Sequence, residues 1–324
     1  MRLFAKNTSS LSGQVNCPGD KSISQRAIII GALANQNISI SGFLNGEDPL
    51  STLSALNQIG ADISINDNRV NIKKREIPFS NSSNSIDLGN SGTGMRLMMG
   101  LIAGIGLKAK LIGDESLMKR PMSRVSIPLN EMGANISNSD GLPPIEIKSR
   151  EIRGDYFYDM PIASAQVKSS ILLAGVASNT KVSIFEPSIT RDHTELMLKH
   201  FGLNIKSEEE DDGKRITFTP GNNFLVQDYF VVGDFSSAAF LIIAGLIASD
   251  SAISIKNVGL NPTRSGLIDI LIQMGGNIEI KNKKMLSGEL VGDIFVKSSV
   301  LSGVNINGGI ISNIIDEIPI LSIA

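Results

Sequence analysis

Four basic residues stand where a helix is least hospitable to them. Lys21 and Arg26 follow the turn Pro18-Gly19-Asp20 and open an apolar run that reaches Ala34. Arg96 follows Asn90-Ser91-Gly92-Thr93-Gly94-Met95, and Lys168 follows Ser164-Ala165-Gln166-Val167. Each lies in the first turns of a segment that reads as a helix. A helix N-terminus carries about half a positive charge and several unpaired N–H groups, so a cation there costs stability unless an anion balances it. Capping accounts for the neighbouring Ser and Asp residues but not for the cations. Hydroxyls, backbone N–H groups and Lys or Arg gathered at one point make a receptor for phosphate or carboxylate.

Two further basic sites lie in loops, Lys119-Arg120-Pro121 and Thr190-Arg191-Asp192-His193. The guanidinium fork matches a carboxylate or a phosphate, although either residue also reads as an ordinary surface arginine. His193 and His200 are the only histidines; the first reads as structural and the second as a packed or solvated helix residue. The sequence holds no Ser/His/Asp triad, zinc pattern, P-loop or dinucleotide fingerprint, and Gly92-Thr93-Gly94 is not followed by the Gly-Lys-Ser/Thr of a P-loop. Chemistry in this chain therefore falls to Lys, Arg, Asp and Glu. The acidic run Glu208–Gly213 reads as a solvated hairpin tip, since adjacent carboxylates do not converge on a metal.

The elements that must carry these residues repeat. Leu56–Ile63, Leu129–Ile136, Leu198–Ile205 and Leu271–Ile278 share one pattern, an amphipathic helix ending at a glycine and then a strand, at intervals of roughly seventy residues. Ahead of each lies a segment apolar nearly all round: Ile28–Ala34, Met98–Ala103, Leu172–Ala177 and Ile242–Ala248. Such helices are expected to be buried on most sides. Alternating strands such as Lys181–Phe185 and Ala252–Ile255 follow. If the repeats pack with pseudo-symmetry, the buried helices run parallel and their N-termini converge on one face. Asp316–Ala324 reads as the opening of a fifth buried helix, so the repeat predicts further chain beyond it.

With 324 residues the chain is expected to form two domains. A net charge of -2 gives no basis for nucleic-acid or anionic-membrane binding, and an aromatic content of 5% leaves few platforms for stacked bases. The single cysteine, Cys17, excludes an internal disulfide and a Cys-rich metal site; it reads as a core residue. Ala238–Ala248, the longest apolar run, is too short to span a bilayer. Met1–Lys6 leads into polar residues rather than a signal h-region, which makes the cytoplasm the expected compartment.

Taken together, the motifs resemble the 5-enolpyruvylshikimate-3-phosphate synthase (3-phosphoshikimate 1-carboxyvinyltransferase) family. The matching stretches are Pro18–Arg26, Leu88–Arg96, Gly113–Met122, Ala163–Ser170, Ser188–Glu195, Gly233–Ala239 and Asp316–Pro319, in family order along the whole chain. The Ser-Ala-Gln-Val-Lys and Arg-Asp-His-Thr-Glu forms are similar to the second, mostly bacterial, subclass. The resemblance implies an α/β, two-domain enolpyruvyl transferase fold of repeated βαβαββ units, an inverse α/β barrel, joined by a two-strand hinge. Residues 21–232 would form the second domain, of three complete units. Residues 1–20 and 233–324 would form the first domain, incomplete, with a Lys-Glu-Ser-Asp-Arg motif and C-terminal Arg and Lys ligands expected beyond Ala324.

The resemblance also implies a transferase of the shikimate pathway, in aromatic amino-acid biosynthesis. It would move the enolpyruvyl group of phosphoenolpyruvate to the 5-hydroxyl of shikimate 3-phosphate and release phosphate, with no metal and no organic cofactor. Lys21 would contact both substrates and share catalysis with Asp316, which would act on the 5-hydroxyl as general base or orienting ligand. Ser22 and Arg26 would hold shikimate 3-phosphate, and Ser164, Gln166 and Arg191 would surround its phosphate and ring. Gly92, Arg120 and Gln166 would line the phosphoenolpyruvate site. Both substrates are anions whose charge must be neutralised before they approach, and closure of the two domains would exclude water. The partners implied are small anions, without nucleic acid or membrane, and the protein is expected to be a monomer.

Some positions depart from the family pattern. Ala165 replaces a Ser of the other subclass and removes a hydroxyl contact, and Leu97 replaces a Pro common there. Gly92 is the residue that leaves room for the inhibitor glyphosate, so a full-length version is expected to be inhibited by it. Without the C-terminal acid/base Glu and its Arg neighbours, the 324-residue chain alone is expected to turn over negligibly; an inactive or binding-only fragment is the alternative. The sister UDP-N-acetylglucosamine enolpyruvyl transferase usually carries Lys-Asn where this chain has Lys21-Ser22, and a loop cysteine near Gly113–Arg120 that is absent here.

Overall fold

The computed structural model describes residues 4, 10–306 and 308–324; apart from Phe4, the Met1–Lys6 stretch lies outside the described residues. The chain starts with β1 (Ser12–Asn16), α1 (Lys21–Ala34), β2 (Ile38–Ser41), α2 (Glu47–Gln58), β3 (Asp62–Asn66) and β4 (Arg69–Lys73). Next come β5 (Ile86–Asp87), α3 (Gly92–Ile105), β6 (Ala109–Ile112), α4 (Ser123–Glu131), β7 (Asn135–Ser139) and β8 (Leu142–Lys148). The third set is β9 (Tyr156–Asp159), α5 (Ala165–Ser178), β10 (Val182–Glu186), α6 (His193–His200), β11 (Asn204–Glu210) and β12 (Gly213–Thr219). The fourth is β13 (Tyr229–Phe230), α7 (Phe235–Ile247), β14 (Ala252–Gly259), α8 (Gly266–Gln273), β15 (Asn277–Leu286) and β16 (Glu289–Lys297), followed by helical turns at Ile311–Ile314 and Ile318–Leu321.

These strands form four sheets of one design, β5-β6-β8-β7, β9-β10-β12-β11, β13-β2-β4-β3 and β1-β14-β16-β15. In each, the first two strands are parallel and the remaining pairings antiparallel. The parallel pair needs a crossover helix, and the last two strands close as a hairpin. That is the βαβαββ unit, formed four times among the described residues. The sheets stay open, and none closes into a barrel.

Chain order conceals one exchange. The repeat built on α1 takes its first strand from β13, with Tyr229 opposite Ile40 and Phe230 opposite Ser41. The repeat built on α7 takes its first strand from β1, paired from Ser12 opposite Ala252 to Asn16 opposite Lys256. The chain accordingly divides into two compact bodies, a larger one of Lys21–Val231 and a smaller one of Met1–Asp20 with Val232–Ala324.

The glycine that ends each amphipathic helix behaves alike in all four repeats. Gly60, Gly133, Gly202 and Gly275 have φ of 100°, 110°, 82° and 98°. The N–H one residue later returns to a helix carbonyl, from Ala61 to Leu56, Ala134 to Leu129, Leu203 to Leu198 and Gly276 to Leu271. A side chain disfavours this left-handed backbone, so glycine both ends the helix and aims the next strand.

In the larger body α3 packs along α5 and against α1, and each of the three helices rests on strands of its own sheet. The contact of α3 with α5 is the closest. A methyl on Gly100 would stand 2.1 Å from the Ser170 carbonyl oxygen, and one on Gly104 2.5 Å from that of Ala174. In the smaller body α7 departs from the expectation of burial on most sides, since Phe240 is 59% and Ile247 48% exposed. It packs on its own sheet and on the Ile318–Leu321 turn, and shares a buried apolar cluster with α8.

Alanine in place of a helix-interior glycine normally stabilises by about 1 kcal/mol. At Gly100 the sign is expected to reverse, because backbone cannot yield to the new methyl. Gly100→Ala should lower the unfolding free energy by about 3 kcal/mol, read from urea denaturation, whereas a variant as stable as the parent would contradict this packing.

Candidate active site

The first turns of α1, α3 and α5 are bonded to each other. Ser91 caps α3, accepting from the Gly94 N–H at 2.9 Å, and also accepts from Gln25 Nε2 of α1 at 2.5 Å. Gln166 of α5 donates through Nε2 to Thr93 Oγ1 at 2.8 Å and accepts through Oε1 from Arg96 Nη1 at 2.7 Å. Arg26 of α1 donates through Nη2 to Ser169 Oγ of α5 at 3.1 Å. Ser164 caps α5 through a 3.5 Å bond from the Val167 N–H. Within the larger body the expected convergence of helix N-termini is thus present, and the three positive ends of α1, α3 and α5 meet in one region.

Gly92, the first residue of α3, lies between two guanidiniums. A methyl there would stand 3.1 Å from Arg120 Nη1 and 3.2 Å from Arg96 Nη1. Arg96 donates only to neutral oxygens, those of Gln166, Gly92 and Pro121, and Arg120 donates to Asn90 Oδ1 and to Ser116 Oγ. Neither forms an ion pair with a carboxylate among the described residues. Burial, and then the neighbouring Arg120 and Arg124 cations, push the Arg96 guanidinium below its ordinary value. Asn90 is held in turn by Asp114, whose carboxylate accepts from Asn90 Nδ2 at 2.6 Å and from the Leu117 N–H at 2.7 Å. Those bonds keep Asp114 below the usual carboxylate range. Two cations held by neutral ligands beside a bare backbone are a seat for an anion.

The other expected site residues of the larger body are placed as follows. Lys21 is half exposed and pairs with Asp48 at 3.1 Å. Ser22 lends its carbonyl to Arg26 Nη1 at 3.0 Å, while Arg26 Nε reaches Thr194 Oγ1 at 2.8 Å. Arg26 is only 3% exposed, so hydroxyls already satisfy much of its fork. Arg191 is half-buried in the segment joining β10 to α6.

Lys168 differs from the sequence reading. It is fully buried, with Nζ 2.9 Å from Glu186 Oε2 and 2.7 Å from Glu195 Oε1. Burial alone would lower its pKa; Glu195 and Glu186 outweigh that and raise it. The charge that offsets this helix-end cation is internal rather than a bound anion. Nothing in the sequence marks Glu186, a lone acid ending a strand, as that partner.

In the smaller body Asp316 is exposed, while the next residue, Glu317, is 1% exposed and accepts from Ser236 Oγ. Ser236 also accepts from Arg264 Nη2 at 2.9 Å. Arg264, which sequence reasoning passed over, pairs with Asp234 at 3.0 Å and Asp20 at 3.3 Å. Burial lowers its pKa, and Asp20, Asp234, Glu317 and Asp316 more than reverse this. The only advance signal was its place just ahead of α8, like the basic residues at the other helix starts. Cys17 is half-buried beside this cluster and donates its thiol to the Asp234 carbonyl at 3.1 Å.

The sequence matches the family model of EPSP synthase (3-phosphoshikimate 1-carboxyvinyltransferase) over residues 5–324. A relative from Thermoanaerobacter sp. (strain X514), named 3-phosphoshikimate 1-carboxyvinyltransferase, is 42% identical over 100% of this chain and 76% of its own length. One of the same name from Petrotoga mobilis is 45% identical over 100% of this chain and 75% of its own. The solved structure of EPSP synthase from Acinetobacter baumannii superposes with a TM-score of 0.86 at 38% identity, covering 97% of this chain and 71% of that one.

Burial, followed by the Asp234 and Asp20 carboxylates, pushes the Cys17 thiol from 9.0 up to about 12. The folded chain therefore keeps a proton that the unfolded chain releases. This contribution to stability is complete below pH 9.0 and is lost as pH rises towards about 12. Urea midpoints measured at about pH 8 and about pH 10.5 should fall further for the parent than for Cys17→Ala; an equal fall would contradict the assignment.

Proposed function

This chain belongs to the EPSP synthase family, and from that premise we propose that it transfers the enolpyruvyl group of phosphoenolpyruvate to the 5-hydroxyl of shikimate 3-phosphate, releasing phosphate. The observation that carries the reading is the pair of guanidiniums, Arg96 and Arg120, held by neutral groups on either side of Gly92. That arrangement suits phosphoenolpyruvate, with Gly92 leaving space against the backbone and Gln166 bonded to Arg96 at its edge. Shikimate 3-phosphate falls to Lys21, Ser22, Arg26, Ser164, Gln166 and Arg191, with Lys21 contacting both substrates.

Two anions repel each other and hold water tightly. Fixed cations and helix N-termini lower that barrier without reorganising during the reaction, and orientation supplies a further part of the rate. The 5-hydroxyl must lose a proton as its oxygen bonds to the enolpyruvyl carbon, and Asp316 takes the role of base or orienting ligand. The reading needs no metal or organic cofactor, and it assigns the enzyme to the cytoplasm as a monomer. Among the described residues no helix is long and apolar enough to cross a membrane.

Calorimetric titration of the chain tests the reading. Shikimate 3-phosphate should bind and UDP-N-acetylglucosamine should not. Arg191→Ala should weaken binding of the first by about 10- to 100-fold, the range for losing charge-assisted bonds to a phosphate. Binding of UDP-N-acetylglucosamine alone, or of neither compound by a folded chain, would overturn the assignment. In the presence of shikimate 3-phosphate, Gly92→Ala should weaken phosphoenolpyruvate binding by about tenfold, because the methyl occupies the space between the two guanidiniums.

A further inference from the structure

Lys168 is buried completely, yet it lies in the same first turns of α5 as Ser164 and Gln166. Its two carboxylate partners come from different places. Glu186 is the last residue of β10, and Glu195 lies in the first turn of α6. Between them runs the segment 187–192, which carries Arg191. Thr190 of that segment donates to Glu186 Oε2 at 2.7 Å. The next residue of α5 grips the same end of α6, since Ser169 Oγ accepts from Thr194 Oγ1 at 2.7 Å.

A buried ion pair is weak evidence for stability, because desolvation offsets much of the attraction and an apolar cluster of equal volume often serves as well. What a lysine bonded to two carboxylates does provide is fixed geometry. Here that geometry sets the separation and orientation of both ends of one short connection.

We propose that Lys168 is a positioning residue: through Glu186 and Glu195 it clamps the two ends of segment 187–192 and so presents Arg191 to the phosphate of shikimate 3-phosphate. The proposal rests on the reading of Arg191 as a ligand of that phosphate. Lys168 itself does not touch substrate. Its contribution is to keep the Arg191 guanidinium from wandering over positions that a flexible connection would allow, a displacement to which oriented binding is sensitive.

The test uses two variants, because Lys168→Met leaves two buried carboxylates unpaired and can fail to fold. The second, Lys168→Met with Glu186→Gln and Glu195→Gln, removes the charges together. Each is checked by circular dichroism and titrated with shikimate 3-phosphate, in the parent and in the Arg191→Ala background. The neutral triple variant should bind about tenfold more weakly than the parent. In the Arg191→Ala background the same change should shift affinity by less than about twofold, because a residue acting through Arg191 has nothing left to position. Amides of segment 187–192 should also exchange hydrogen faster in the triple variant. A folded triple variant with parental affinity overturns the proposal, as does an equal loss in both backgrounds, which marks a general structural role. If Arg191→Ala alone keeps parental affinity, the ligand reading has failed instead. Amide exchange then decides the clamp: faster exchange supports it and unchanged exchange refutes it.

Discussion

The candidate site depends on how closely α3 and α5 approach. Gly100 and Gly104 bring the backbone of α3 against the carbonyls of Ser170 and Ala174, at separations that no side chain would permit. With the helices locked at that distance, their first turns meet side by side. Gln166 can then bridge Thr93 and Arg96, and the Ser170 hydroxyl bonds the Arg96 carbonyl at 2.8 Å. Interiors at close-packed density transmit such a constraint over several turns. Side chains in place of these glycines would part the N-termini and take Gln166 away from Arg96.

Each cation near a helix start is answered differently. Arg26 is buried among hydroxyls. Lys168 is neutralised by two glutamates, and Arg264 in the smaller body by two aspartates. Arg96 and Arg120, on either side of Gly92, form no ion pair among the described residues and donate to uncharged partners. The site is therefore defined less by an excess of positive charge than by where internal counter-charge is withheld. A chain with net charge of -2 can still offer a strongly anion-seeking point, because field at short range is set by local groups and not by the total.

The smaller body follows the same design with different stakes. Asp234 caps α7 and also pairs with Arg264, so one carboxylate ends the helix and holds the ionic cluster. Glu317 joins it through Ser236. The exposed Asp316 is thereby attached to a residue anchored by buried bonds, which restricts the backbone on which the proposed base is carried. A reactive carboxylate gains from such support because its own side chain must stay accessible.

Much of this was legible in the sequence alone. The interval between repeats, the glycine after each amphipathic helix and the all-round apolar helices follow from local rules of helix ending and burial. Those rules act over a few residues and so leave a mark in the string. Motif stretches such as Ser164–Ser170 and Ser188–Glu195 were enough to indicate the family. Tertiary structure decided the rest. Strands β1 and β13 join repeats distant in sequence, since a two- or five-residue strand carries no label of its partner. Glu186 finds Lys168, and Arg264 finds Asp20, across separations that no spacing rule spans. Which helix-start cations are neutralised internally, and which remain for a ligand, depends on what packs against them, and that is settled only when the chain is folded.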